Sequence, residues 1–281
     1  MKPISVLLQY TLPHHLVSRI VGFFISIKQP LIKNAIIKWF IQRYNVDMSE
    51  AKQHDINQFK TFNDFFTREL KPEVRVIAKA ADEIVSPADG VISECGKIKE
   101  NQLLQAKGMG YSLEALLANE DLSLPFKDGE FLTIYLSPKD YHCVHMPFTG
   151  SLEKMIYVPG RIFSVNPLTT NHVTNLFARN ERVVCVFNTE FGKMAVIMVG
   201  AMIVAGISTS WQGQVTPPCH RKIIRWDYSN VALSKGEKLG HFSLGSTVIV
   251  LFEKNAAKLH GVNPNKKIQM GEKIANLISL R

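Results

Sequence analysis

The sequence predicts an α+β protein in which N-terminal amphipathic helices precede a predominantly antiparallel β domain of sandwich or barrel-like form. Helical periodicity dominates roughly the first 45 residues, whereas from Ile84 onward short apolar runs alternate with glycine, proline, asparagine and aspartate. With 46% hydrophobic and 20% charged residues, the 281-residue chain should also fold around a substantial core. We divide it into a helical region, residues 1–62, and a β-rich domain, residues 63–281.

Two N-terminal helices are predicted from apolar residues that recur at three- and four-residue steps, which places them on one helix face. Pro30 separates the two segments. The periodic residues are Leu16, Ile20, Phe23, Phe24 and Ile27 in the first segment, and Ile32, Ile36, Ile37, Phe40 and Tyr44 in the second.

The charged residues of this segment are all basic, since no acidic residue precedes Asp47. Six of the charges behind the formal net charge of +9 fall here: Lys2, Arg19, Lys28, Lys33, Lys38 and Arg43. Bulky apolar residues flanked by basic ones are typical of a helix lying among anionic lipid headgroups. The alternative is a pair of ordinary helices packed on the domain behind them. Nucleic acid is a less suitable partner, because the segment is aliphatic and its basic residues are dispersed.

Three further segments have predicted structures. A third helix is expected over residues 56–70, closed by the Lys71-Pro72 step. A helical insert at 111–118 begins with Ser112 as its N-cap. The apolar stretch 194–207 is shorter than the roughly 20 residues of a membrane-spanning helix. Because it is rich in valine and isoleucine and contains Gly200 and Gly206, we expect consecutive core strands joined by a tight bend.

The four cysteines are scattered, with no CxxC pair and no apparent secretory signal before them, so we predict free thiols in a reducing compartment. They are Cys95, Cys143, Cys185 and Cys219. His142 and His145 would share a face on a helix, but Pro147 favours extended structure, in which they point to opposite sides. No metal site is therefore predicted.

Asp89, a histidine of this pair and Ser246 supply the residue types of a nucleophilic serine triad. The evidence from the residues alone is weak. Asp89 in "SPADGV", taken alone, is better explained by a turn, in which Asp bonds backbone amides and Gly90 accepts a positive φ. Ser246 in "LGST" lacks a Gly-x-Ser-x-Gly elbow and directly precedes a strand-like run, Val248–Phe252. That position favours attack of the serine on its own backbone, or a simple turn.

The order of several motifs is more specific than any one of them. The chain contains, in sequence, "FFTREL-KP", "SPADG", "YSLEALL", "LSPKDYHCVHMP", "YVPGRIFSVN", "LFARNERVV", "TPP" and "LGST". This series resembles the bacterial, membrane-associated, pyruvoyl-dependent phosphatidylserine decarboxylases, essentially from residue 60 to the end, and the N-terminal helices fit as well. At the positions of the family's catalytic residues, this sequence does not depart from the family's motifs.

The resemblance implies a self-processing enzyme. The hydroxyl of Ser246 would attack the Gly245 carbonyl, cutting the chain into a large β chain, residues 1–245, and a small α chain, residues 246–281. Ser246 would become a pyruvoyl cofactor that forms a Schiff base with the substrate. His145 would deprotonate Ser246, Asp89 would orient His145, and His142 would assist decarboxylation or reprotonation. Gly245 would leave room for the attack and tolerate a strained backbone.

The implied reaction is decarboxylation of phosphatidylserine to phosphatidylethanolamine, a step of phospholipid biosynthesis. Its partners would be the lipid, an anionic membrane surface and the two cleaved chains of a heterodimer; further dimerisation stays open. The expected location is the cell membrane, peripherally on its cytoplasmic side. The alternatives are a pyruvoyl-dependent decarboxylase of a soluble amino acid, an intact Ser-His-Asp hydrolase, and a non-catalytic membrane-surface adaptor.

Overall fold

The structure is a computed structural model that describes residues 3–11, 14–106, 108–202, 206–217 and 222–278. Its α-helices are α1 (Ile4–Thr11), α2 (His14–Ile25), α3 (Pro30–Tyr44), α4 (Phe62–Phe66), α5 (Leu113–Leu117), α6 (Pro167–Thr170) and α7 (Leu176–Arg179). Short 3-10 helices span Ile56–Gln58, Pro72–Val74 and Asp121–Phe126.

The strands carry most of the fold and pair antiparallel. They are β1 (Glu83–Val85), β2 (Gly90–Lys97), β3 (Gln102–Ala106), β4 (Met109–Ser112), β5 (Glu130–Leu136), β6 (Cys143–His145), β7 (Gly150–Val158), β8 (Arg182–Thr189), β9 (Gly192–Gly200), β10 (Ile207–Thr209), β11 (Gly213–Gln214), β12 (Ile224–Asp227), β13 (Ala232–Leu233), β14 (Lys238–Phe242), β15 (Ser246–Phe252), β16 (Ala257–Leu259), β17 (Lys267–Ile268) and β18 (Lys273–Leu277). The predicted α+β class is confirmed.

One large sheet organises the domain, in the order β12-β7-β8-β9-β15-β5-β2-β17, with β13 also on β7. Smaller sheets have the orders β11-β10-β14-β6 and β1-β18-β16, and β3 pairs with β4. Side chains alternate across a strand, so β15 contributes to two separate cores. Val248 and Val250 pack in one core, whereas Ile249 and Leu251 pack in the other. β15 is thus covered on both faces and paired on both edges.

Two local predictions have different outcomes. The insert forms α5, and the Ser112 hydroxyl caps it by accepting from the Ala115 amide at 3.2 Å. The long helix over residues 56–70 is wrong: the chain forms a 3-10 turn and then only the five residues of α4. Capping explains the difference, because the Thr61 hydroxyl accepts from the Asp64 amide at 3.0 Å and starts a new helix at Phe62. Within α4, Phe62, Phe65 and Phe66 lie on one helix face and are buried in one aromatic cluster.

The remaining local predictions concern the apolar stretch and the cysteines. The stretch 194–207 contains most of β9 and the start of β10, as predicted, although part of the bend lies at 203–205, outside the described residues. Cys95, Cys143 and Cys185 are free thiols, and Cys219 lies outside the described residues.

The N-terminal helices have one packed face and one exposed apolar face. Ile37 and Phe40 of α3 pack against the phenylalanines of α4, as ordinary docking helices do. The opposite faces carry eleven of the seventeen exposed large hydrophobic side chains among the described residues: Ile4, Leu7, Leu8, Tyr10, Leu16, Ile20, Phe23, Phe24, Leu31, Ile32 and Trp39. Lys33 departs from the expected pattern, because it is buried and donates to the Ile56 carbonyl at 2.9 Å.

No single helix in the described part of the chain is long and apolar enough to span a membrane. The segment Leu16–Ile25 and α3 would meet the length and composition required only when taken together, and they meet at 112°.

Candidate active site

Ser246 begins the central strand of the large sheet. Its backbone lies between Gly200 of β9 and Leu136 of β5, which holds the residue in register from both sides. The side chain is fully buried, and its hydroxyl has no hydrogen-bond partner in the described part of the chain. A buried unpaired hydroxyl costs about 1–3 kcal/mol, and such groups are exceptions that call for a functional explanation.

Gly245, on the N-terminal side of that strand, is not visibly strained. Its φ lies outside the left-handed region, and a Cβ added there would meet nothing within 4 Å. The expectation that Gly245 tolerates a strained backbone is therefore not met in this conformation. Glycine is required instead at Gly90, where φ is 157° and a Cβ would lie 2.3 Å from the Tyr135 carbonyl oxygen.

Asp89 precedes this glycine and is held by a buried arginine. Arg75 donates from Nε to Asp89 Oδ1 at 3.0 Å, and from its Nη2 to the Glu50 carboxylate at 2.8 Å. The Met270 amide also donates to Asp89 Oδ1 at 2.8 Å. Asp89 therefore combines a turn position with a buried, charge-assisted pairing of the strong type.

His145 is oriented differently from the sequence prediction. Its Nδ1 lies 2.9 Å from the Gly236 carbonyl oxygen, and its Nε2 lies 3.1 Å from the Tyr141 hydroxyl. The Gly236 carbonyl, and not Asp89, thus selects the tautomer with a proton on Nδ1, which leaves Nε2 as the basic nitrogen. Asp89 makes no hydrogen bond to His145 because Arg75, a cation, outcompetes a neutral imidazole for the carboxylate.

The three predicted triad residues nevertheless lie in one region of the fold. The His145 amide donates to the Pro87 carbonyl at 2.8 Å, two residues before Asp89, and the Asp89 charge raises the pKa of His145. Burial, the larger effect, lowers the pKa of His145 below its ordinary value. Neither Asp89–His145 nor His145–Ser246 is a hydrogen-bonded pair here, so the triad roles stay predictions.

His142 is fully buried against the ring of Phe66, with ring centroids 4.2 Å apart. Its Nδ1 lies 2.7 Å from the Asp140 carbonyl oxygen, and its Nε2 has no hydrogen-bond partner among the described residues. Burial lowers the pKa of His142 to about 3, so the ring is neutral near pH 7. The predicted extended structure is confirmed at His145, which ends β6 (Cys143–His145), whereas His142 immediately precedes that strand.

A cavity of about 560 Å³ borders this region. Asp89, Tyr141, Arg68 and Arg75 are among the residues that line it. The sequence prediction missed Arg75, Tyr141 and the Gly236 carbonyl. Tyr141 and Arg68 fall inside motifs quoted above, so their motifs could have identified them as candidate site residues. No motif or spacing in the sequence places residue 75 or residue 236 near the site.

Replacing Arg75 with methionine is expected to destabilise the fold by about 3 kcal/mol, the low end for breaking a buried ion pair. The loss is large because Asp89, whose side chain is 8% exposed, would keep its charge without a cation. The Met270 amide still satisfies one oxygen, which limits the cost. The measurement is urea unfolding at pH 7.

A matched control is Lys254→Met, which breaks an ion pair to Asp128 whose side chains are 57% and 61% exposed. Its urea midpoint should stay that of the wild type, because exposed pairs contribute little. Equal losses from the two substitutions would contradict the special position of Arg75.

Comparison with known proteins agrees with the resemblance seen in the motifs. A family model described as "Phosphatidylserine decarboxylase" matches residues 62–276, and a second, described as "PSD", matches residues 4–45. Among curated relatives, the phosphatidylserine decarboxylase proenzymes of Shewanella woodyi and Shewanella frigidimarina are both 50% identical, each over 99% of either chain. That of Shewanella sediminis is 51% identical over 99% of both chains. The chain belongs to the phosphatidylserine decarboxylase family.

Proposed function

We propose that this protein converts phosphatidylserine to phosphatidylethanolamine after cutting its own backbone between Gly245 and Ser246. Family membership supports the reaction class. The observation that supports self-cleavage most directly is the state of the Ser246 hydroxyl. It is buried at the first residue of the central strand and has no hydrogen-bond partner among the described residues. A serine kept in this state is poorly explained as a turn residue, because a turn serine would bond its own backbone.

The cleavage is an internal rearrangement followed by elimination. Ser246 Oγ loses its proton to a base and attacks the Gly245 carbonyl carbon, and the peptide C–N bond breaks as the C–O ester bond forms. Loss of the Cα proton of residue 246 then expels the Gly245 carboxylate and leaves a dehydroalanine. Water hydrolyses the imine tautomer of that residue, releasing ammonia and leaving a pyruvoyl group at the new N-terminus.

His145 is the base in this scheme. Its Nε2 carries the free lone pair because the Gly236 carbonyl accepts from Nδ1. In this conformation the Tyr141 hydroxyl is hydrogen-bonded to Nε2. For cleavage, Ser246 must replace Tyr141 at Nε2, or Tyr141 must donate its proton to Nε2 and accept the proton of Ser246. Asp89, fixed by Arg75, contributes a negative charge that favours the imidazolium formed when His145 accepts the proton.

The residues around Ser246 suit a pyruvoyl group. This group supplies a ketone carbonyl that draws electrons from the substrate carbon as carbon dioxide leaves. β15 holds residue 246 in place through its pairing with β5 and β9. The segment after the cut would stay attached, since β17 pairs with β2 and β18 with β1.

His142 is assigned to the decarboxylation or reprotonation step, as a group whose Nε2 can accept a proton near the reacting carbon and return it. Its neutral, buried ring and its unpartnered Nε2 support this assignment. A structural histidine would use both nitrogens in hydrogen bonds, whereas only Nδ1 of His142 is used.

The protein is proposed to act at the cell membrane, bound peripherally on the cytoplasmic side. Phosphatidylserine stays in the bilayer because each buried CH₂ contributes about 0.8 kcal/mol, so the enzyme must reach it there. The exposed apolar faces of α1–α3 and their basic neighbours suit a surface of anionic headgroups. The β-rich domain after residue 62 would then contain the catalytic residues.

Replacing Phe23, which is 70% exposed, with glutamate should weaken binding to vesicles by about 10-fold or more. The substitution removes roughly 1.5–3 kcal/mol of apolar burial and adds a charge that anionic lipid repels. Sedimentation with vesicles containing phosphatidylserine measures it. In the wild type, fluorescence of Trp39, 58% exposed, should also shift to the blue on binding.

The matched control is Val76→Glu, since Val76 is 75% exposed but belongs to the β-rich domain. It should bind vesicles like the wild type. Equal weakening by both substitutions would point to a general charge effect and contradict the membrane face.

Intact mass of the denatured protein tests the proposal as a whole. Two chains, residues 1–245 and 246–281, are expected, with the small chain blocked to Edman sequencing. An active but uncut chain would favour a Ser-His-Asp hydrolase. A cut chain that turns over a soluble amino acid and not the lipid would favour a different pyruvoyl-dependent decarboxylase.

A further inference from the structure

Arg68 carries a buried cation that forms no ion pair within the described part of the chain. The residue is 6% exposed, and its Nε has no hydrogen-bond partner among the described residues. Its guanidinium carbon lies 5.4 Å from the centroid of the Phe65 ring, a stacking contact that fixes its plane. Burial lowers the pKa of Arg68, yet a guanidinium keeps its proton in proteins. A buried charge of this kind is costly unless something pairs with it.

No carboxylate that lines the same cavity forms an ion pair with Arg68 among the described residues, although the charges of Glu50 and Asp89 raise its pKa. Asp89 and Glu50 both bind Arg75. Asp140 accepts from the amide and hydroxyl of Ser137, each at 2.7 Å. Asp47 accepts from the Ser49 amide at 2.8 Å. Lys139 and Lys267 add positive charge to the lining, and Glu272 adds negative charge.

The unpaired cation lies next to the proposed reaction centre. Phe66, two residues before it, stacks on His142, and the thiol of Cys143 donates to the Thr67 carbonyl at 3.7 Å. The charge of Arg68 itself lowers the pKa of His142. The cavity lined by Arg68 also borders Asp89 and Tyr141, whose hydroxyl contacts His145. An anion in this cavity would lie near Tyr141 and Asp89, the two lining residues that act on His145.

We propose that Arg68 is the anion subsite for the phosphodiester of the lipid substrate, an inference that rests on the proposed function. The substrate offers two anions, a phosphodiester and a carboxylate. The carboxylate loses its charge as carbon dioxide leaves, so a tight arginine pair there would stabilise the ground state more than the transition state. The phosphodiester keeps its charge throughout. Arginine also matches phosphate geometry with two parallel donors.

The test replaces Arg68 with methionine and uses short-chain phosphatidylserine dispersed below its micelle concentration. KM should rise about 10- to 100-fold, the loss expected for a charge-assisted contact, while kcat changes less than about threefold. Methionine should not unfold the protein, because replacing a buried charge with an apolar residue of similar volume is often neutral or stabilising. Arg68→Lys, which keeps a charge but not the bidentate geometry, should recover part of the loss.

Binding of the product distinguishes the two anions. Short-chain phosphatidylethanolamine has the phosphodiester but no carboxylate, and its affinity is measured by calorimetry without turnover. If Arg68 holds the phosphodiester, Arg68→Met weakens product and substrate by the same factor. If only the substrate is weakened, Arg68 holds the carboxylate and the assignment is overturned.

Three controls keep failure of this inference separate from failure of the proposed function. Wild-type cleavage and lipid turnover must be seen first. The Arg68→Met chain should then cut at the wild-type rate, and a block of cleavage would overturn a substrate-binding role. Arg225→Met removes an equal charge from an exposed site and should leave both KM and product affinity unchanged. An unchanged KM in Arg68→Met would overturn the proposal.

Discussion

Replacing Ser246 with alanine is expected to leave a single uncut chain with no decarboxylase activity. Without Oγ no ester can form, so the backbone bond after Gly245 stays intact and the cofactor never appears. The expected loss of activity is at least about 10³-fold, because the residue is both the cleaving nucleophile and the source of the reactive carbonyl. Intact mass and a lipid decarboxylation assay on the same preparation measure the two outcomes together.

The fold itself should survive this substitution. Ser246 Oγ has no hydrogen-bond partner to lose, and removing a buried unpaired hydroxyl should keep or slightly raise the melting temperature. Ser243→Ala is the matched control, since Ser243 lies three residues earlier and has no assigned role; it should cut and turn over normally. Activity in uncut Ser246→Ala protein would contradict the pyruvoyl route.

The second large effect is a separation of roles between two histidines. His145→Ala should slow self-cleavage by about 10²- to 10⁴-fold, the contribution of a general base. His142→Ala should cut at the normal rate, yet the cut enzyme should decarboxylate slower by a similar factor. Cleavage is followed by gel during incubation of freshly made precursor, and decarboxylation by release of carbon dioxide. The exposed His260→Ala serves as the control and should change neither step.

The pH dependence of self-cleavage follows from the lowered pKa of His145. The base must be neutral, so cleavage falls only as the pH drops through the pKa of His145, which lies below its ordinary value of 6.5. Cleavage should therefore exceed half of its maximal rate at pH 6.5. A His142→Ala chain that fails to cut, or half-maximal cleavage at a pH above 6.5, would contradict this division of labour.

Those parts of the fold that depend on a few adjacent residues could be predicted from the sequence. Alternation and turn residues indicated the β-rich domain, and Ser112 indicated the start of α5, because both are properties of a few adjacent residues. The helix expected over 56–70 was wrong because the Thr61 hydroxyl caps a new helix at Phe62. The contacts of Phe62, Phe65 and Phe66 with Phe40 of α3, in contrast, join segments far apart in the chain. No local pattern reports a contact made across such a distance in the chain.

Within the site, the sequence alone determined the candidate residues: Ser246 at the start of a core strand, Asp89 in its turn, and His145 in an extended segment that His142 immediately precedes. Only the tertiary structure decided their partners. It paired Asp89 with Arg75, gave His145 the Gly236 carbonyl, and left Arg68 and Ser246 unpaired. Hydrogen bonds between distant segments depend on how strands and loops pack in three dimensions. A carboxylate pairs with whichever donor that packing brings nearest, and a cation beside it prevails over a neutral ring.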